Sequence, residues 1–336
     1  MADKKLIVIV GITGNQGASV ADAFMDEPGW KIRGISRDPS KASSKVWSDK
    51  GVEMVAGDLD NLESIQPAFK GANVIFAATD FWQAIGNPKN HQKAAERGVT
   101  INEVAYEIEV QQGKNIVDAA AMTLNTLDRF VLSTLSHAKK WSGGKIQWNL
   151  HFDAKWAAVD YLKETYPELL KKTSLLQVAL FMTNWQQGGR MAPHKQADGT
   201  YLLSVPTKPH AKIPMLNPRV DVGPLTKALV QAEPGKNLLG AASVLSWTEW
   251  CEIWGKKHGV TCRYEELPPE KMEEEIPGGV GKELADMFVY FSDPGYDGGD
   301  PSVILPKDLG VDVELMSVQE YIEKTDFSSI LQESAA

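Results

Sequence analysis

Short apolar segments recur along the first half of the chain and alternate with amphipathic segments. The apolar segments are rich in Val, Ile and Leu, and they lie at residues 5–10, 31–36, 52–57, 73–79, 129–134 and 174–181. Between two of them, Leu62, Ile65 and Phe69 recur at the spacing of one helix face. Strands that are apolar throughout and alternate with helices are typical of a parallel sheet covered on both faces. The pattern predicts a doubly wound α/β fold.

The pattern changes after about residue 184. Residues 186–201 and 206–223 are rich in Gly, Pro and polar side chains, which indicates loops and short strands rather than further strand–helix units. We therefore divide the chain into a nucleotide-binding domain at 1–184 and a smaller α+β lobe at 185–336. The lobe is expected to pack on the first domain and not to fold independently.

Two helices of the C-terminal part are predicted from capping boxes. Ser246 precedes Glu249 by three residues, and Ser317 precedes Glu320 in the same way. Gly259 is expected to end the first of these helices, because glycine is favoured just after a helix end.

Composition excludes some classes of function. The chain has 336 residues, 43% of them hydrophobic, and a net charge of -9, which disfavours direct binding to nucleic acid. The apolar run at residues 6–12 is too short to span a membrane or to form most signal-peptide cores. We expect a soluble cytoplasmic protein, or a nuclear one if its role is regulatory. Cys251 and Cys262 form neither a disulfide framework nor a metal-binding pattern, so no metal is expected.

A glycine-rich turn follows the first apolar segment. Gly11, Gly14 and Gly17 recur at every third position between a predicted strand and a predicted helix. Glycines are needed there because the turn is tight, and because the backbone approaches a pyrophosphate at the positive end of the helix. In this context the motif predicts a dinucleotide-binding fold of the Rossmann type.

The end of the second predicted strand indicates which dinucleotide binds. Arg37 stands where NAD-binding proteins usually have a carboxylate, and a guanidinium can pair with the 2'-phosphate of NADP. Lys41 adds positive charge nearby. Alternatively, Arg37 is a solvated charge and Asp38 binds the ribose. After the third strand, Asp58 and Leu59 are expected near the adenine, although Asp58 could instead, or as well, cap the next helix.

Five ordered motifs resemble one protein family. They are "GITGNQG", "SRDPSK", "GDLDN", "EVQQGKN" and "HFDAK", and the similarity extends over nearly the whole chain. The chain resembles the NmrA-like family of atypical short-chain dehydrogenases/reductases. The resemblance implies a Rossmann domain with a smaller C-terminal lobe and a preference for NADP(H). The family includes fungal nitrogen-metabolite repressors, animal redox sensors and oxidoreductases of specialised metabolism.

The resemblance also implies roles for individual residues. The pyrophosphate would be held by Gly11, Thr13, Gly14, Asn15, Gln16 and Gly17, and the 2'-phosphate by Arg37. Thr79, Lys114 and Lys155 would lie along the nicotinamide half, with residues 181–184 closing that end.

The usual catalytic pair of the superfamily, Tyr-x-x-x-Lys, is absent, since no tyrosine of the chain has a lysine four residues later. His151 stands in the tyrosine position and Lys155 follows one helical turn on. Ser133 or Thr134 would be the hydroxyl partner. His151 could be a proton donor, a remnant that leaves Lys155 to hold the cofactor, or a histidine without a special role.

Aromatic residues are expected near the mouth of the site. Phe81, Trp82, Trp148 and Trp185, together with Asn184, fall near strand ends, where α/β proteins bind ligands. They suggest a flat, apolar substrate or stacking on the nicotinamide, with ordinary packing between lobes as the alternative. His137 could also line the site or be a solvated loop residue.

Two functions follow from these features. One is an NADPH-dependent oxidoreductase that reduces a carbonyl or enone of a small aromatic or polycyclic molecule. The other is a non-catalytic NADP(H) sensor that binds a protein partner according to cofactor state. The sequence leaves the oligomeric state open.

Overall fold

A computed structural model describes residues 4–332 of the chain. Its strands form one large sheet and two small ones. Within these residues the strands are β1 (Lys5–Val10), β2 (Trp30–Ser36), β3 (Glu53–Ala56), β4 (Val74–Ala77), β5 (Arg129–Thr134), β6 (Thr173–Val178), β7 (Leu180–Phe181), β8 (His194–Lys195), β9 (Tyr201–Val205), β10 (Ile213–Leu216), β11 (Asn237–Gly240), β12 (Ser243–Leu245), β13 (Cys262–Glu266) and β14 (Val303–Ile304).

The helices surround the large sheet and cover the small ones. In the same residues they are α1 (Asn15–Met25), α2 (Ala42–Asp49), α3 (Leu62–Phe69), α4 (Phe81–Ile85), α5 (Pro88–Arg97), α6 (Ile101–Ala121), α7 (Ala138–Trp141), α8 (Leu150–Thr165), α9 (Pro167–Leu170), α10 (Val222–Gln231), α11 (Trp247–His258), α12 (Pro269–Glu275), α13 (Val280–Ser292), α14 (Val318–Lys324) and α15 (Ser328–Leu331). Between residues 4 and 332 no helix is long and apolar enough to cross a membrane.

The large sheet has the order β14-β11-β6-β5-β4-β1-β2-β3, and all its strands are parallel. This is a doubly wound Rossmann sheet, which confirms the fold predicted from the sequence. The chain order reverses between β1 and β4. In open α/β sheets the crevice outside the strand ends at such a reversal is the usual ligand site.

Both faces of the large sheet are buried, which explains the continuous apolar runs. Ile7 and Ile9 of β1 pack in the core on one side, with α1 and α10. Val8 and Val10 pack in a separate core on the other side, beneath α3, α6 and α8. Because successive side chains of a strand point to opposite faces, every position of β1 that contacts a helix has to be apolar.

The predicted helix caps are mostly observed. Ser246 and Glu249 form a full capping box at the start of α11, and Gly259 ends that helix in the left-handed conformation. Ser317 accepts the backbone N–H of Glu320, but the Glu320 side chain pairs with Lys324 on the next turn. The second box is therefore only half formed.

The C-terminal part of the chain is not separate from the large sheet. It supplies β11 and β14 to that sheet, the whole small sheet β13-β9-β8, and β10 and β12 of the small sheet β12-β10-β7. The apolar run predicted as one strand at 174–181 divides into β6 in the large sheet and β7 in a small one. The division at residue 184 stays a prediction. The large sheet extends across it, since β11 and β14 come after residue 184.

Helix α10 crosses α1 at very short range. A Cβ on Gly223 would lie 2.2 Å from the carbonyl oxygen of Ser19 and 2.8 Å from Cβ of Ala23. The backbone N–H of Gly223 also donates to Oγ of Ser19 at 2.8 Å. This contact joins the C-terminal part to the helix that follows the glycine turn, so the two are positioned together.

Gly223→Ala is expected to lower the free energy of unfolding by about 1–3 kcal/mol, because the backbone of α1 or α10 has to move to admit the methyl group. Denaturant unfolding measures the change. Gly86→Ala is the control, since its Cβ would meet nothing nearer than 3.6 Å. Equal stability of the two variants would contradict the importance of the α1–α10 contact.

Candidate functional site

The glycine turn leaves its helix end open. Gly11 has a φ of +75°, and a Cβ on Gly17 would lie 2.3 Å from the Gly11 carbonyl oxygen, so neither position readily admits another residue. Helix α1 begins after Gly14 with no side-chain cap and no acidic residue in its first turn. Thr13 and Asn15 are exposed beside it. Free N–H groups at a positive helix end form an anion site, which suits a pyrophosphate.

At the end of β2, Arg37, the candidate for the 2'-phosphate, and Asp38, the alternative candidate for the ribose, have different surroundings. Oδ1 of Asp38 accepts hydrogen bonds from the backbone N–H and the hydroxyl of Ser40, at 2.9 and 2.6 Å. These bonds lower the pKa of Asp38. Arg37 is exposed and makes no hydrogen bond or ion pair with residues 4–332. Lys41, also exposed, precedes α2, whose first turn has no acidic residue. The cation is therefore available to a ligand, whereas the carboxylate is engaged in its own turn.

The segment after β3 differs from one expectation. Asp58 was considered as a cap of α3, but Asn61 caps that helix by accepting the N–H of Glu63. Asp58 is exposed and accepts the N–H of Asp60 instead. Asn is as good a cap as Asp, and the residue nearer the helix start has the better geometry. Leu59 is half-buried, and its carbonyl oxygen accepts from Asn115 at 2.7 Å.

Lys155 reaches from α8 to the end of β4. Its ammonium donates to the backbone oxygen of Thr79 at 2.9 Å and to the Thr79 hydroxyl at 3.1 Å. It also contacts Oε1 of Glu109 on α6 at 2.5 Å. These three bonds use all three N–H groups of the ammonium. Lys155 and Thr79 are thus brought together as expected.

Glu109 was not among the residues singled out in the sequence. It is only 1% exposed, and its Oε2 has no hydrogen-bond partner in the described part of the chain. A signal was present, since Glu109 lies between Ala105 and Gly113 at spacings of four residues, on a stripe that is otherwise small and buried. An acid in such a stripe faces the neighbouring helix and not the solvent.

His151 lies one turn before Lys155 and is held by a second buried acid. Its Nδ1 is 2.6 Å from Oε1 of Glu283, and its backbone N–H donates to the same oxygen at 2.9 Å. Glu283, on α13, is 0% exposed, and its Oε2 accepts from Asn102 of α6 at 3.1 Å. The other ring nitrogen, Nε2, bonds to no residue in 4–332 and is not sealed from solvent. Glu283 was also missed, although Met287 and Tyr290 continue its buried stripe.

The predicted aromatic residues separate into exposed and buried ones. Trp82 is 41% exposed, and its ring centre lies 5.2 Å from that of His151. Phe81 is fully buried beneath it. Trp148 is half-buried under the ammonium of Lys282, 4.9 Å from the ring centre. Of these three, Trp82 alone presents much of its ring to solvent beside the imidazole.

Asn184 and Trp185 lie in a packed region. They line a cavity of about 20 Å³, which holds one water molecule at most. Trp185 is buried, donates to the Tyr321 hydroxyl at 2.9 Å and stacks on Phe327. The alternative weighed for Trp185, packing between elements, describes its surroundings in this structure.

Ser133 and Thr134 do not meet His151. The Ser133 hydroxyl donates to Oε1 of Gln16 in the glycine turn at 2.8 Å, and Thr134 is fully buried. Ser133 therefore fixes the glycine turn to the end of β5. This position gives no support to its prediction as a catalytic partner of the imidazole.

Lys114 and His137 lie outside the group formed by His151 and Lys155. The ammonium of Lys114 is 5.3 Å from the ring centre of Tyr161, which is about 9 Å further along α8 than Lys155. His137 stacks on Trp156, on the opposite side of α8 from His151. The expectation that Lys114 lies along the nicotinamide half has no support from this position.

A third buried acid, Asp153, lies in the first turn of α8. It is 8% exposed, and it accepts the backbone N–H of Lys139 at 3.1 Å. Burial raises the pKa of this carboxyl to about 6 from its ordinary value of 3.8. The nearby charge of Glu283 acts in the same direction, and the Lys139 contacts oppose it.

The fold and the glycine turn define a protein of the Rossmann class with a dinucleotide site at the β1–β4 reversal. Comparison with known proteins makes this more specific. The NmrA-like family model matches residues 3–328, so the chain belongs to the NmrA-like family. This confirms the resemblance found in the sequence motifs.

The chain is also similar to individual members and structures. It is 25% identical over 314 residues to the NmrA-like family domain-containing oxidoreductase FrzB of Cladobotryum sp, covering 88% of this chain and 85% of that protein. The negative transcriptional regulator NmrA, solved with NADP, has a TM-score of 0.73 at 19% identity and covers 98% of this chain and 97% of its own. The quinone oxidoreductase QOR2 of Escherichia coli, solved with NADPH, has a TM-score of 0.67 at 17% identity and covers 94% and 98%. These structural likenesses support the fold.

Asp153 gives a pH-dependent prediction. Its carboxyl binds a proton more tightly in the folded state, so wild type is expected to lose stability relative to Asp153→Asn as pH rises from about 4 to about 6, by roughly 1–3 kcal/mol in total. Above about pH 7 the difference should be constant. Chemical unfolding over a pH series measures it. Glu164→Gln, on an exposed position of α8, is the control. A difference in the free energy of unfolding that does not change with pH would contradict the raised pKa of Asp153.

Proposed function

We propose that this chain is an NADP(H)-dependent oxidoreductase that reduces a carbonyl or enone of a small, flat aromatic molecule. The observation that carries the proposal is the arrangement of His151. One of its ring nitrogens is held by the buried Glu283, while the other bonds to none of the residues 4–332 and the imidazole lies beside the exposed ring of Trp82. An imidazole oriented by a carboxylate at one nitrogen and open at the other is suited to transfer a proton.

The cofactor site fits NADP(H) on the chain's own features. The open α1 terminus and the Gly11–Gly17 approach suit a pyrophosphate. Arg37 would contact the 2'-phosphate, because it is exposed and unpaired in residues 4–332, with Lys41 nearby. Lys155 and Thr79 would lie beside the nicotinamide ribose. When bound, NADPH supplies the hydride.

In this proposal the protein side chains supply the proton and orient the substrate. His151 gives the proton from Nε2 to the substrate oxygen, so that a carbonyl gains one hydride at carbon and one proton at oxygen and becomes an alcohol. Glu283 keeps the Nδ1 proton in place while the other nitrogen gives up its own. Trp82 offers a flat ring face on which an aromatic substrate stacks.

A second candidate is the NADP(H) sensor that acts through a protein partner. One observation favours it: all three N–H groups of Lys155 are already bonded within the protein. A sensor needs only a difference in affinity between cofactor forms. Among the similar structures, NmrA is a negative transcriptional regulator.

Turnover separates the two functions. If the chain is an oxidoreductase, we expect it to oxidise NADPH with at least one member of a panel of quinones, aromatic ketones and enones. His151→Asn is expected to reduce this turnover by roughly 10²–10⁴-fold, because proton transfer is lost. Asn keeps a side-chain donor for Glu283, whereas Phe would remove it. Cofactor affinity should not change.

Two results would contradict the proposed enzymatic role of His151. Tight NADP(H) binding without oxidation of NADPH across the panel would favour the sensor. Turnover that His151→Asn leaves intact would remove His151 from the chemistry.

Arg37→Ala is expected to weaken NADP(H) binding by about 1.5–3 kcal/mol and to change NAD(H) binding little, since only NADP carries the phosphate that the guanidinium would contact. Calorimetry with both cofactors measures the difference. Lys31→Ala, which removes one exposed charge at the opposite end of β2, is the matched control. Equal losses for both cofactors would contradict the assignment of Arg37.

A further inference from the structure

Replacing the tyrosine of the Tyr-x-x-x-Lys pair by histidine changes the charge that the proton donor carries beside the lysine. A tyrosine that donates its proton becomes an anion, which a neighbouring ammonium stabilises. An imidazole that donates from Nε2 while keeping its Nδ1 proton is a cation beforehand, and the ammonium of Lys155, one turn away, repels it. Without compensation the pair His151 and Lys155 would hold two positive charges at one side of α8.

The structure contains two carboxylates at the positions where compensation is needed. Glu109 contacts the Lys155 ammonium at 2.5 Å, and Glu283 contacts Nδ1 of His151 at 2.6 Å. Both acids are almost completely buried, at 1% and 0% exposure. They come from two different helices, α6 and α13. In a buried setting such charges are screened little, so each acts strongly on its partner.

Burial of the two acids would otherwise be unfavourable. An ionised carboxylate away from water is costly unless it is paired. Oε2 of Glu109 has no hydrogen-bond partner within residues 4–332, so only the Lys155 ammonium compensates its charge there. Glu283 accepts bonds from His151 and Asn102, and Asn102 carries no charge. A protonated imidazole therefore completes a neutral group of two cations and two anions.

We infer that Glu109 and Glu283 are positioning residues that supply the negative charges needed for a protonated His151 to stand beside Lys155. The inference rests on the proposed function, in which His151 is the proton donor. The two acids are buried, and they act through the imidazole and the ammonium that they contact. They are what allows histidine to replace the usual tyrosine in this chain.

Other charged groups near the imidazole enter the same balance. Asp153 lies on α8 beside the Lys139 backbone, and Asp286 of α13 accepts the backbone N–H groups of Gln147 and Trp148. Lys282 of α13 lies over the Trp148 ring. None of these three charged side chains bonds to the imidazole, whose polar partner within residues 4–332 is Glu283. The Glu283 charge is therefore the one whose removal should act on His151 directly.

Glu283→Gln tests the charge while it preserves the hydrogen bond. The glutamine oxygen still accepts from the His151 ring. Oδ1 of Asn102 has no partner in the described residues, so a flipped Asn102 amide can accept from the new amide nitrogen. Glu109→Gln removes the other charge. Glu107→Gln is the matched control, because Glu107 lies on the same helix but is exposed and pairs with Arg97.

The first measurement does not need turnover. Nitrogen NMR of the imidazole at neutral pH, in the NADP complex, is expected to show both His151 nitrogens protonated in wild type and in Glu107→Gln. One proton should be absent in Glu283→Gln and in Glu109→Gln. A neutral imidazole in wild type, or unchanged signals in both glutamine variants, would overturn the inference.

The second measurement separates charge from structure. Each glutamine variant should lower kcat by roughly tenfold or more, which lies within the range that proton transfer contributes, while KM for NADPH changes less than about twofold. Glu283→Asp and Glu109→Asp keep the charge and should restore the imidazole signals, even if either glutamine variant folds poorly. Failure of both aspartate variants to restore the signals would leave only a structural role and overturn the inference.

The two proposals fail in different ways. A wild-type protein that binds NADP and shows the expected imidazole signals, yet oxidises no NADPH, contradicts the enzymatic function and leaves the charge balance supported. A protein that turns over substrate equally well in both glutamine variants keeps the enzymatic function and contradicts the role of the acids.

Discussion

The bond between Glu283 and His151 determines how the two parts of the chain fit together. A carboxylate with no exposure is stable only where donors surround it, and here the donors come from α8 and α6. Helix α13 can therefore dock in one register only. Removing one partner of a buried charged pair costs about 3–5 kcal/mol, so the docking is strongly specified. The same bond that holds the C-terminal part also orients the imidazole.

Much of the fold could be predicted because its physical signal is local. Parallel strands buried on both faces must be apolar throughout. Gly11 is favoured by its left-handed backbone, and Gly17 by its close approach to the Gly11 carbonyl. The strand that leaves the large sheet after Val178 could not be predicted. Nothing in an apolar run marks the point where its neighbours change from β11 to β10.

The site was harder to predict than the fold, because its residues depend on contacts between distant elements. Lys155 and His151 are recognisable from their spacing on one helix. Glu109 and Glu283 are acids on helices, which normally face solvent, and only the packing of α6 and α13 against α8 buries them. Trp185 shows a different difficulty, since a tryptophan near a strand end can face a site or the core. Tyr321 and Phe327, more than a hundred residues away, provide its core partners.

The saturated ammonium of Lys155 connects binding with chemistry. A nicotinamide ribose can bond to Lys155 only by replacing one of its three present acceptors. The bond to Glu109 is the least replaceable, because within residues 4–332 no other cation pairs with this buried charge. The Thr79 contacts are with neutral oxygens just after β4. If a nicotinamide ribose binds to Lys155, as both proposed functions suppose, we expect it to replace a Thr79 contact. Such an exchange would act on the segment that leads from Thr79 into α4, the helix that carries Trp82.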